Sequence, residues 1–202
     1  MVGRFVVAGH KMIDKLSIKL HPVTVARWGD LEKLFGPRGA CQDCWCMFFR
    51  LRSSEAARNT ASDNKRALKK LVQANAVPGL LAYIGREPVA WVSLAPREEF
   101  AHLEHSRILI RIDDKPVWSI VCFFVAKPYR NQGLMTPILQ AAIAYAAKRG
   151  ATTVEAYPVA VKGGRLTGYH GFTGVVSTFR RAGFKIVKRV SPHQAIMRYV
   201  IG

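Results

Sequence analysis

Apolar positions change their period several times along this chain, and each change marks an element. From Gln132 to Arg149, Met135, Ile138, Leu139, Ala142, Ile143 and Ala146 recur at three- and four-residue intervals ahead of Gly150, which predicts a long amphipathic helix. Just before it, Val117 to Val125 is mostly apolar on both alternating faces, as a central strand covered on both sides requires. Thr153 to Tyr157 predicts the next strand, so strand, helix and strand form a parallel crossover. Gly79–Ile84 and Val89–Leu94 are β-prone runs joined by Gly85-Arg86-Glu87-Pro88, the pattern of a hairpin.

Weaker periodicities fill in the ends. Ser17 to Leu20 alternates as a first strand, and Thr24 is placed to cap a helix whose Trp28, Leu31 and Phe35 share a face, with Gly36 beyond it. Ala67, Leu68, Leu71 and Val72 suggest a second helix opening near Asp63, its other face basic. Thr173 to Ala182 predicts a short helix closed by Gly183, and Lys185–Lys188 and Ala195–Val200 supply the last strands. The expected class is α/β with mixed strand order, not a doubly wound sheet.

Size and composition narrow the class further. A chain of 202 residues, half of them hydrophobic, is expected to be a single domain over residues 1–202 with one buried core, residues 1–15 forming a flexible N-terminal extension. No run approaches the ~18 apolar residues of a membrane span, and the longest, Ile120 to Ala126, suits a buried strand. The N-terminus lacks the long apolar segment of a secretory signal, so a cytoplasmic location is expected. Lys and Arg outnumber Asp and Glu 31 to 13, a net charge of +18 that should attract anions, nucleic acid included. The basic residues are dispersed, however, and form no tight RNA-binding stripe.

Cys41, Cys44 and Cys46 make a C-x-x-C-x-C cluster beside Trp45. A structural zinc site needs four ligands, and only Cys122 or a histidine is left to complete one; the expectation is no metal, with reduced thiols packed as small apolar groups. Glu98, His102 and His105 lack the H-E-x-x-H spacing and read as a solvated helix face.

The strongest chemical signal lies where the central strand meets the long helix, at Tyr129-Arg130-Asn131-Gln132-Gly133-Leu134-Met135. Unpaired N–H groups and the positive end of the helix dipole suit this turn to a pyrophosphate, and Gly133 lets the backbone come close. Arg130-x-x-Gly133-x-Met135 resembles the R/Q-x-x-G-x-G/A acyl-CoA loop of the GNAT superfamily, with the strand before it, the helix after it and a later Phe179-x-x-x-Gly183-Phe184 in that family's order. Met135 departs from the small residue of the pattern.

The resemblance implies an α/β (α+β) fold with a mixed, mostly antiparallel sheet of about six to seven strands. It also implies an acetyl-CoA-dependent N-acetyltransferase acting by direct attack of a primary amine. By the same resemblance, backbone groups of Phe123, Phe124 and Val125 line the pantetheine arm, and Arg130, Asn131, Gln132, Gly133, Leu134 and Met135 hold the diphosphate. The Val125 N–H is the implied oxyanion donor. Glu155 is the candidate base. The tyrosine that often protonates the leaving thiolate is replaced by Phe179, so Tyr157, Tyr169 and Ser177 are the substitutes. The glycine-dense Gly163–Gly171 reads as an active-site loop offering Tyr169 or His170 to an acceptor, and Trp45, Phe48 and Phe49 are candidates for an acceptor pocket. The acceptor is open between a small-molecule and a protein amine, with room for a homodimer. A catalytically inactive CoA-binding regulatory module and a basic nucleic-acid-associated protein are the alternatives.

Overall fold

The computed structural model describes residues 18–160 and 168–202, without the side chains of 168–170. The N-terminal extension and most of the glycine-dense loop therefore lie outside the described residues.

Seven strands form one sheet: β1 (Ile18–Pro22), β2 (Gly79–Ile84), β3 (Glu87–Pro96), β4 (Trp118–Val125), β5 (Thr153–Ala156), β6 (Lys185–Ser191) and β7 (Gln194–Val200). They are ordered β1-β2-β3-β4-β5-β7-β6, antiparallel throughout except for the parallel pair β4 and β5. Among the described residues six helices flank it: α1 (Trp28–Phe35), the single turn α2 (Ser53–Ala56), α3 (Ala61–Gln73), the single turn α4 (Ala101–Glu104), α5 (Met135–Ala147) and α6 (Val176–Arg181).

The apolar periods explain the layering. α5 buries Ile138, Leu139, Ala142 and Ala146 against one sheet face, where Leu80, Val92, Ile120 and Val154 meet them. On the opposite face Leu31, Leu34, Leu68 and Val72, from α1 and α3, cover Leu81, Trp91 and Val121. β4 thus sends alternate residues into two cores, which is why its sequence is apolar on both faces. Fully burying each such aliphatic side chain contributes about 1.5–3 kcal/mol. At the hairpin Ile84 pairs with Glu87 across Gly85-Arg86, and Gly85 takes φ 60°, the glycine-first form of a two-residue turn.

Element boundaries differ from the sequence reading for local reasons. Thr24 precedes a 3₁₀ turn, Val25–Arg27, without capping it through its side chain, and α1 starts only at Trp28. α3 starts earlier than Asp63, at a capping box: Thr60 Oγ1 accepts from the Asp63 N–H at 3.2 Å, while the Asp63 carboxylate accepts from the Thr60 N–H at 3.0 Å. Replacing Thr60 with Ala removes one of these bonds and should lower stability by about 1 kcal/mol in a urea titration. α5 begins at Met135 and not at Gln132, because Asn131 and Gly133 have left-handed φ values of 60° and 73°. Pro137 is then its third residue, where a backbone N–H has no intrahelical partner, so the hydrogen-bond cost that proline exacts deeper in a helix does not arise.

Candidate active site

β4 and β5 pair only from Trp118–Val154 to Ile120–Ala156 and then part. Val159 instead bridges to Val175 and Gln194. On its other side β4 stays paired with β3 as far as Val125, and the Ala126 N–H donates to the Val89 carbonyl at 2.9 Å. Antiparallel ladders alternate, so the N–H and C=O of Val125 and Phe123 point away from β3, into the gap where β5 has turned aside. Arg130 Nε, reaching back to donate to the Val125 carbonyl at 2.8 Å, approaches from that side. Its guanidinium also lies over the Phe124 ring, 5.7 Å from the centroid.

The gap opens into a cleft of about 810 Å³. One wall is Phe123, Phe124 and Val125; the turn Arg130–Thr136 forms one end; and Gly174, Val175, Thr178 and Arg181 form the far wall. Among the described residues, the N–H groups from Asn131 to Thr136 have no backbone carbonyl partner; the ladder starts with the Ile138 N–H donating to Leu134 at 3.1 Å. Two guanidinium groups, Arg130 and Arg181, accompany these N–H groups on the wall. Donors and positive charge without a compensating carboxylate make this a site for an anion.

Of the turn residues singled out in the sequence, Arg130, Asn131, Gly133, Leu134 and Met135 line the cleft. Gln132 instead folds its side chain onto the Pro128 carbonyl at 2.7 Å, leaving only its backbone to the site. Sequence reasoning missed Thr178 and Arg181, one turn of α6 facing the loop. Ser177 is exposed and absent from the wall, Thr178 occupying the inward position of that turn.

Glu155 is neither solvated nor at the sheet edge. It is fully buried, bonded to Arg97 at 3.0 Å, Arg198 at 2.7 Å and the Tyr157 hydroxyl at 2.8 Å. Arg97, 1% exposed, also reaches Glu104, Tyr157 and the carbonyls of Leu103 and Leu109. Arg198 holds Asp113 through two bonds of 2.7 and 3.0 Å. Tyr157 is equally buried and meets Ser119 at 2.8 Å; burial, then the Glu155 charge, pushes its hydroxyl pKa well up. Neither Glu155 nor Tyr157 lines the cleft. The side chains of Tyr169 and His170 lie outside the described residues.

The cysteines divide into two kinds. Cys46 and Cys122 are buried with sulfurs 3.4 Å apart, as small core residues, while Cys41 and Cys44 are half-buried. Partial burial and the Cys44 sulfur raise the Cys41 thiol above its usual range, against a smaller opposing pull from Arg130. In the folded chain a thiol–disulfide reagent should therefore modify Cys41 first, faster as pH rises, and reach Cys46 and Cys122 only in denaturant; mass spectrometry of peptides reads this out. Among the described residues no group of three or more His, Cys, Asp or Glu is arranged to hold a metal. His102 packs on the Phe48 ring, its centroid 4.7 Å away, and burial lowers its pKa.

A sheet whose one parallel pair parts beside an open helix N-terminus is the arrangement that the sequence resemblance implies. A sequence model of the acetyltransferase (GNAT) family matches residues 43–173, more than half of the chain, and the chain belongs to that family. No curated protein sequence matches it. Among solved structures it is similar to an uncharacterized protein from Bacillus halodurans (16% identity, 91% of this chain and 83% of that one, TM-score 0.56). It is also similar to AAC(6')-Ib in complex with ribostamycin and coenzyme A (17%, 91% and 93%, 0.55). A third similar structure is the PaiA N-acetyltransferase of Thermoplasma acidophilum in complex with coenzyme A (15%, 92% and 99%, 0.51). At these identities the likeness is one of fold. No helix among the described residues is long and apolar enough to cross a membrane.

Proposed function

We propose that the cleft binds acetyl-CoA and that the chain transfers its acetyl group to a primary amine by direct attack. The observation that carries this reading is the run of N–H groups from Asn131 to Thr136 without a backbone carbonyl partner among the described residues, set at the end of a gap into which Val125 turns its own N–H. The turn takes the diphosphate. The backbone of Phe123–Val125 would hold the pantetheine arm, and an N–H of that run turned into the gap would stabilise negative charge on the thioester oxygen. Coenzyme A chemistry supplies the activated acyl carbon; the protein aligns it and excludes water.

Glu155 and Tyr157 take a positioning role in this reading. A carboxylate bonded to two guanidinium groups and a hydroxyl, away from the cleft wall, is poorly placed to accept a proton from an amine. Tyr169, which belongs to the segment entering the cleft wall at Gly171, keeps the role of acid for the departing thiolate.

Calorimetric titration with acetyl-CoA tests the cofactor reading, with saturable binding expected at one site. The removal of Glu155 from the cleft favours one second reading, a CoA-binding regulatory module without turnover. Binding of acetyl-CoA with no release of coenzyme A across a panel of amines would select it.

A further inference from the structure

Beyond the acyl end of the cleft lies a second chamber of about 400 Å³. The two cavities share Ala40, Cys41, Phe123, Phe124 and Phe172 as common wall. The chamber's size falls in the lower part of the ~300–1,000 Å³ range of small-molecule sites.

Its lining is aromatic. Phe48 and Phe49 meet edge to face with ring centroids 5.2 Å apart, and each stands 6.2 Å from Phe172. Packing accounts for Phe49, which is 5% exposed, whereas Phe48, packed by His102 at 4.7 Å between ring centroids, lines the chamber and is 41% exposed overall. An aromatic ring left this open can accept another flat apolar group.

The backbone opposite is held in an unusual form. Ala40, Gln42, Asp43, Trp45 and Cys46 all take left-handed φ values, from 44° to 72°. Non-glycine residues keep such conformations only where their surroundings over-determine them, and they concentrate at ligand sites. Here Trp45, stacked on Trp28 and tilted against Phe35, anchors the run, and the Asn64 amide donates to the Asp43 carbonyl at 3.1 Å. The Asn59 amide is in turn engaged with Asn64 at 3.1 Å. Asp43 is left as the single acidic residue among the described residues on either cavity wall, in a chain whose net charge is +18.

We propose that this chamber is the acceptor site and that it takes a small primary amine with an aromatic body, the ring packing on Phe48 and Phe172 and the ammonium drawn in by Asp43. The inference rests on the acyltransferase reading and adds the substrate class to it. In the transfer, the amine nitrogen bonds to the acyl carbon as the carbon–sulfur bond of the thioester breaks. Of the three ammonium protons one stays on the amide nitrogen, one ends on the coenzyme A sulfur and one passes to solvent. An acyl chain longer than acetyl is the less suitable occupant, because it carries no charge for Asp43 to meet.

The test uses the full chain with acetyl-CoA and follows coenzyme A release with 2-phenylethylamine, ethanolamine and a lysine-containing peptide. The aromatic amine should exceed the other two in kcat/KM by about tenfold or more. Phe48→Ala, at an exposed position that does not threaten the core, and Asp43→Asn should each raise its KM about threefold or more and leave the KM for acetyl-CoA unchanged. Equal use of all three amines, or variants that leave the amine KM unmoved, overturns the proposal. So does a preference for phenylacetyl-CoA over acetyl-CoA that Phe48→Ala removes, which would assign the chamber to the acyl group. If acetyl-CoA is bound and consumed with the peptide alone, only this inference falls; if acetyl-CoA does not bind, the acyltransferase reading falls first.

Discussion

Gly133→Asp should abolish acetyl-CoA binding while leaving the chain folded. Gly133 has φ 73°, so any side chain is strained there, at a cost of about 1–2 kcal/mol. A typical stability of about 5–15 kcal/mol absorbs that. The carboxylate itself is the larger effect. It would stand among the N–H groups of Asn131 to Thr136 and beside Arg130, taking the place of the diphosphate and repelling it. A loss of about 100-fold or more in affinity is expected, roughly 2.8 kcal/mol. Calorimetry measures it, with a melting curve to establish that the variant is folded. Unchanged affinity in a folded variant would remove the turn from the binding site.

Arg97→Ala should be the most destabilising single change in the ion-pair cluster. It would leave Glu155 fully buried with one of its two guanidinium partners gone and would orphan the carbonyl of Leu109, while that of Leu103 keeps the Ser106 N–H. Breaking a buried pair from one side costs about 3–5 kcal/mol, because the remaining charge cannot return to water. Urea unfolding of the variant should show that loss. A drop below about 1 kcal/mol would mean that water or Arg198 compensates Glu155. Replacing both partners, as in Arg97→Met with Glu155→Leu, should cost less than Arg97→Ala alone, since no uncompensated charge is then buried.

The parts of this molecule legible in the sequence are those governed by near neighbours. The crossover of β4, α5 and β5 was readable because β4 and α5 are long and their periods unambiguous, and because glycine punctuates the helix end at Gly150 ahead of the short β5. The turn with open N–H groups from Asn131 to Thr136 was readable because its donors belong to consecutive residues. Glu155 was singled out as the candidate base, but its partners were not legible because its environment is set from far away: Arg97 is 58 positions distant and sits in the run Arg97-Glu98-Glu99, which looks like any charged surface turn.

The walls of the second chamber were only partly legible for a related reason. Cys122 meets Cys46 across 76 positions, and the left-handed run from Ala40 to Cys46 occurs at residues that carry no glycine signal. Trp45, Phe48 and Phe49 were together read as candidates for an acceptor pocket, but only the fold separates Trp45 and Phe49, at 3% and 5% exposure, from the open Phe48.

The ion-pair cluster also bears on when the gap between β4 and β5, the slot proposed for the cofactor, comes into being. Arg97, Glu155, Tyr157 and Ser119 tie the end of β3 to β4, β5 and β7 at the last pairs before the strands diverge. The angle between the strands is therefore held by bonds that a ligand neither makes nor breaks, and the slot exists in the empty protein. A pre-shaped slot spares the ligand the entropy of ordering two strands, so the cost of binding is concentrated on the diphosphate turn and the loop beside it.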